Sequence, residues 1–356
     1  VFSREAQRIT QRAVFGSPIG WLALGYLLGL ASAAWSPMPL YSGFRAMEQL
    51  SQLFAITVCI LATGNREKAE KQVLHLFAGC LIINFLTVLK FYGFTLALAA
   101  WHTNVYTASS AMALCYCAGE LMAGRKESRK LLWRYAGLST FGILLGTSTA
   151  SNLAAFCGLA VVGLVTRQGK IVFAVAAGVL VVAILMLGSG DLIRVVSGGK
   201  DPEKLRNMSG RTHIWEQYFL RFQQNPLTGE GYAVTARLSS DYRTNTHNSV
   251  ISVATGMGIA GLLTFGIWAV LHLTWTANFV RLGQPGAVGS LAALTAGLIN
   301  CLSCAYIGES YHPVTLTFNS LVVLSCLRVR SAVAGPARRP LPFFAEQGPH
   351  AGHGSK

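Results

Sequence analysis

Apolar residues run along the chain in blocks of about 17 to 25, the length a helix needs to cross roughly 30 Å of hydrocarbon. Short polar connections separate the blocks. The pattern predicts about ten spans, near residues 19–36, 46–63, 73–99, 105–123, 132–148, 152–166, 171–188, 257–280, 286–308 and 312–328. The expected fold is all-α: a polytopic transmembrane helix bundle with one large periplasmic loop that contains an amphipathic helix. Four parts follow: N-terminal transmembrane helices over 1–188, the loop over 189–246, C-terminal transmembrane helices over 247–330, and a breaker-rich, disordered tail over 331–356. The second span is the weakest, because Arg45, Glu48 and Gln49 near its start fit an interfacial stretch.

Charge orients these spans. Charged residues make up only 12% of the 356 positions, about half the share of a soluble globular chain, while apolar residues make up 52%. The net charge of +15 does not point to nucleic acid, since Lys and Arg sit in short clusters between apolar blocks. Basic connections (Arg66/Lys68/Lys71, Arg125/Lys126/Arg129/Lys130, Arg167/Lys170, Arg281) alternate with nearly uncharged ones around Pro37, Trp101, Ser148 and Gly308. The positive-inside rule then predicts that both termini are cytoplasmic. The loop from Ser189 to Thr246 is on the far side, yet it carries eight Lys or Arg residues. That excess calls for an explanation other than topology. Arg4, Arg8 and Arg12 precede the first span, and no cleavable signal peptide is read ahead of Val1, where an upstream portion can be missing.

All eight cysteines fall inside apolar blocks, where thiols serve as small packing residues. Cys301 and Cys304 have CxxC spacing but no accompanying His or second Cys pair, so a helical core role is expected rather than a metal.

Chemistry concentrates in the loop. The stretch Arg211-Thr-His-Ile-Trp-Glu-Gln-Tyr-Phe-Leu-Arg-Phe places Ile214, Trp215, Tyr218, Phe219 and Phe222 at helical spacing, an amphipathic helix with an aromatic face. It would lie on the outer membrane surface or on the loop's own core. Ser209 can cap its start and Asn225-Pro226 ends it. Arg211 sits in the first turn, where a guanidinium and free backbone N–H groups could hold one phosphate. Pro226-Leu-Thr-Gly-Glu-Gly-Tyr232 is turn-rich, and Arg237 and Arg243 add positive charge. His247 and Asn248 come directly before an apolar run, which puts His247 at the membrane surface at a helix start. Arginines and a His on one face suit a phosphate-bearing lipid with a proton transfer nearby. Gly256-Met-Gly258-Ile-Ala-Gly261 matches a dinucleotide-binding spacing but lacks the preceding strand, so it marks a helix break or close helix packing.

Taken in order, Ser209-Gly-Arg211, Ile214-Trp215, Asn225-Pro226-Leu-Thr-Gly229-Glu-Gly231-Tyr and His247-Asn248 with Gly256, Gly258 and Gly261 resemble the hallmark region of the bacterial O-antigen ligase and polymerase superfamily. Trp35-Ser-Pro37 is similar to another recurrent element. The resemblance implies a multi-pass protein of the bacterial inner membrane that transfers a glycan from an undecaprenyl pyrophosphate carrier to the hydroxyl of a lipid or glycan acceptor. It implies no nucleotide sugar, no cofactor and no obligatory metal. It also implies His247 as the group activating the acceptor and Arg211 as a pyrophosphate ligand; Arg237, Arg243, Asn248 and Trp215 are expected as further substrate-binding residues, with membrane lipids as additional partners. One departure stands out: members often carry an Arg near the start of a preceding span, where this chain offers Asn152. Arg45, Lys90, Arg237 or Arg243 could compensate.

A transporter or flippase for an anionic lipid-linked substrate is the alternative. It would place ionisable residues near midmembrane, whereas Lys90, Glu120 and Arg134 fall near span ends and could snorkel to the interface. A scaffold without chemistry is a third reading.

Overall fold

The computed structural model describes residues 14–99, 103–126, 128–145, 148–168, 211–238, 246–308 and 313–326. Among these residues every regular element is helical: α1 (Ile19–Ala31, followed by a 3-10 turn at Ser32–Ala34), α2 (Pro39–Ala62), α3 (Arg66–Ala99), α4 (Thr103–Met122), α5 (Arg129–Leu145), α6 (Thr149–Val165), α7 (Arg211–Gln224), α8 (Thr235–Leu238), α9 (Ser249–Arg281), α10 (Ala287–Asn300) and α11 (Pro313–Cys326). Among the described residues, three stretches are long and apolar enough to cross a membrane: Pro39–Ala62, Arg66–Thr87 and Ser249–Arg281. Shorter apolar helices are Ile19–Ala34, Ala150–Val165, Ala287–Asn300 and Pro313–Cys326. The span expected at 171–188, the cap at Ser209, Arg243 and the tail lie outside the described residues.

Several boundaries move, each for a local reason. The second span starts at Pro39, because proline is pre-set for the first helical position and leaves no helical N–H unsatisfied. The third starts at Arg66, where the Asn65 side chain accepts from the backbone N–H groups of Glu67 (2.8 Å) and Lys68 (3.4 Å). Hydropathy sees only the lipid-depth part of such a helix. The helix expected over 286–308 stops at Asn300, and residues 301–308 form a non-helical turn.

Close packing relies on small residues. A Cβ on Gly119 of α4 would lie 2.7 Å from the Gly289 backbone of α10, and one on Gly158 of α6 would lie 2.7 Å from the Ala292 carbonyl. Backbones can approach this way without a hydrophobic driving force between helices. All eight cysteines are free thiols, and Cys115, Cys117, Cys301 and Cys326 are buried among these helices.

Two basic connections, at Arg66 and Arg125, meet at one end of the bundle beside Gly286. There Glu120 does not snorkel, contrary to the sequence expectation: it is 2% exposed and accepts from the Gly286 (3.0 Å) and Gly289 (2.9 Å) backbone N–H groups at the start of α10. A carboxylate at a helix N-terminus satisfies orphan donors and complements the helix dipole. Arg125 bridges Glu120 (3.4 Å) and Glu70, and Arg66 also pairs with Glu70 at 3.2 Å. Burial alone would lower the Arg125 pKa, but the Glu70 carboxylate more than offsets it and the net shift is upward. Two arginines and two glutamates thus close a buried, neutral network across α3, α4 and α10.

Candidate functional site

The opposite end of the bundle is built on the start of α9. Asn248, with extended backbone, is its N-cap: its side-chain oxygen accepts from Val250 N (2.9 Å) and Ile251 N (3.1 Å). Its amide nitrogen donates to the Leu302 carbonyl at 3.0 Å. Ser249 extends the junction, donating its backbone N–H to the Cys301 carbonyl (2.8 Å) while its hydroxyl accepts from Tyr306 N (2.8 Å). Thr246 is buried and shares a 2.5 Å hydrogen bond with Ser252. Between these pinned neighbours His247 is half-buried and holds a φ of +52°, in the left-handed region that side-chain-bearing residues rarely adopt. Strained backbone of this kind persists where surrounding bonds over-determine it.

Helix α7 meets the same turn. Arg211, its first residue, donates to the Ser303 carbonyl at 3.2 Å, one residue along from the Asn248 contact. Burial lowers its pKa from the ordinary guanidinium value, with the Cys304 side chain opposing the shift. One turn later the Trp215 indole donates to the Thr246 carbonyl at 2.9 Å. Arg211, Trp215 and the His247 segment are therefore held by one another and by the 301–304 turn. The expected aromatic face of α7 splits: Tyr218 is 2% exposed, whereas Phe219, about 100° round the helix, is 57% exposed.

The turn-rich stretch after α7 lies along α9 at its break. Glu230 N and Gly231 N donate to the Thr255 (2.9 Å) and Gly256 (2.8 Å) carbonyls, and Ile259 N donates to the Pro226 carbonyl (2.8 Å). Gly258 has φ 62° and ψ −158°, so its neighbours' helical bonds are interrupted and replaced by bonds to the loop. A Cβ there would lie 2.4 Å from the Leu227 carbonyl. The expected break is present at Gly258, whereas the close packing of Gly256 and Gly258 is against the 226–233 loop rather than against another helix. Gly258→Ala is expected to destabilise the fold by more than about 2 kcal/mol, through backbone strain plus the clash. Gly266→Ala, later in α9 with nothing within 4 Å of the added Cβ, should instead gain about 0.5–1 kcal/mol. Thermal unfolding of the detergent-solubilised pair tests the contrast. Trp35 also reaches this loop, donating to the Thr228 carbonyl at 3.2 Å, and Tyr232 N donates to the Ser32 hydroxyl at 2.9 Å.

Other predicted residues sit elsewhere. Arg237, on α8, is exposed and stacks on the Tyr41 ring (5.4 Å), with Arg45 over the same ring at 5.2 Å. It is thus partnered with α2. Asn152 is exposed, while its neighbour Ser151 is buried and accepts from the Asn300 amide at 3.2 Å. Lys90 is on an exposed position of α3. Sequence reasoning missed Ser249 and the turn at Ser303, whose polar residues follow Asn300 inside an otherwise apolar block.

Residues 134–266 match the family model described as O-antigen ligase. Over this stretch, which is less than half of the 356 positions, the chain is similar to the O-antigen ligase family. The matched stretch includes Arg211, Trp215, Arg237, Arg243, His247 and Asn248, but neither the 301–304 turn nor α1 and α2. The match and the three described helices long and apolar enough to cross a membrane together support a membrane protein. No curated protein matches the chain.

Proposed function

We propose that the protein is a membrane glycosyltransferase that moves a glycan from an undecaprenyl pyrophosphate carrier to an acceptor hydroxyl at the periplasmic face. The observation that carries this reading is the joint seating of Arg211 and the His247 segment on neighbouring carbonyls, Ser303 and Leu302. In the proposed step His247 takes the proton of the acceptor hydroxyl, whose oxygen forms the new bond to the anomeric carbon. The bond from that carbon to the pyrophosphate oxygen breaks with its electron pair. Arg211 stabilises the charge that develops on the departing lipid pyrophosphate, with Arg243 as a further cation. Trp215 and Asn248 act as positioning residues, since their polar side-chain atoms bind the Thr246 and Leu302 carbonyls and the α9 cap.

The testing experiment incubates purified protein with lipid-linked oligosaccharide and candidate acceptors. A ladder of longer glycans identifies a polymerase and a single product a ligase; absence of any transfer would sink the reading. Arg211→Ala is expected to lower transfer by about 10²-fold, and Arg211→Lys to recover only part of it, because a point charge replaces a planar fork. Initial rates across donor concentrations check this.

A further inference from the structure

The residues that made the second span look weak lie on one face of α2. Ser42, Arg45, Gln49 and Gln52 recur at helical spacing; Ser42 and Gln49 are fully buried, whereas Leu40 (90%), Phe44 (61%), Met47 (46%) and Phe54 (53%) are exposed on the other side. Helix α2 therefore turns an apolar face outward and a polar face inward.

That inner face meets α1 and α11. The Asn319 amide of α11 donates to Gln52 Oε1 at 2.9 Å, and Tyr26 of α1 lies beside Asn319. Tyr232 from the loop packs edge-on against Tyr26, with ring centroids 6.3 Å apart. Within this seam, neither end of the Gln49 side-chain amide finds a hydrogen-bond partner among the described residues, nor does Asn319 Oδ1. A buried amide left unpaired is costly, and such groups are rare enough to need an explanation.

The first turns of α2, next to this seam, carry cations. Arg45 and Arg237 stack on the same Tyr41 ring, and among the described residues Glu48, paired with Arg45 at 2.9 Å, offsets one of them. Positive charge one turn of α2 away from the Gln49 amide, which can donate and accept, and near the accepting Asn319 Oδ1 suits a hydroxyl-rich chain with an anionic group.

We propose that the seam between α1, α2 and α11 is a second binding site, separate from the Arg211 and His247 segment, that takes an acidic saccharide. Its assignment as the acceptor site rests on the transferase reading; the binding itself does not. Guanidinium groups of Arg45 and Arg237 hold the anion, and Gln49 with Asn319 pairs with saccharide hydroxyls.

The test measures binding of tetragalacturonic acid and of maltotetraose to the full chain in nanodiscs, without donor. The acidic tetrasaccharide should bind, and the neutral one should bind at least about tenfold more weakly. Gln49→Leu and Arg237→Ala should each weaken the acidic ligand about tenfold, whereas Arg211→Ala should leave it unchanged. Gln49→Leu should also unfold at the same or a higher temperature than the parent, because it replaces an unpaired buried amide by an apolar group of similar size. A purely structural glutamine would show the opposite. Equal binding of the two tetrasaccharides, unchanged binding by the seam variants, or equal loss in Arg211→Ala would overturn the proposal. Failure of glycan transfer with intact acidic-saccharide binding would count only against the transferase reading.

Discussion

Replacing His247 is expected to slow glycan transfer by about 10²- to 10⁴-fold, the range lost when a positioned general base is removed. The choice of variant matters here. His247 has a φ of +52°, a conformation that asparagine tolerates better than alanine does. His247→Asn therefore keeps the turn between Thr246 and Asn248 while removing the imidazole. If the imidazole takes the acceptor's proton, kcat falls in both His247→Asn and His247→Ala, and the KM for the donor changes little. Trp215→Phe offers the comparison. It removes only the indole donor to the Thr246 carbonyl, so it should cost less and act through the placement of the segment. Full transfer by a normally folded His247→Asn protein would show that the proposed base is wrong.

The second large effect is on stability, at the other end of the bundle. Glu120→Ala leaves the Gly286 and Gly289 backbone N–H groups without their acceptor and leaves two buried arginines facing Glu70 alone. Breaking a buried ion pair by removing one partner costs about 3–5 kcal/mol, because an uncompensated charge remains. Glu120→Gln should cost less, since its carbonyl oxygen can still accept a backbone bond. Chemical unfolding in detergent separates the variants. An alanine variant within about 1 kcal/mol of the parent would mean that the network contributes little. The physical expectation is otherwise, because the glutamate joins α4 to the start of α10 and, through Arg125, to α3.

What the sequence alone determined about this protein is local. Apolar blocks of spanning length made helices, Asn248 before an apolar run made a helix start, and Gly258 marked a break, because length, capping and backbone freedom are properties of a few consecutive residues. The order of short motifs around Arg211 and His247 was enough for the family resemblance. Tertiary structure decided what depends on neighbours distant in the chain. Arg211 and Asn248 meet at the 301–304 turn, over fifty residues beyond His247, and no periodicity could connect them. Arg237 reads like Arg211 in sequence, yet it stacks on Tyr41 because α8 lies beside α2. Glu120 and Gln49 resemble interfacial residues by hydropathy, which counts a polar group as a cost wherever it falls. Whether that cost is met depends on partners: Glu120 finds two backbone donors and an arginine, and Gln49 finds none among the described residues. The first is thereby structural, and the second becomes a place for a ligand.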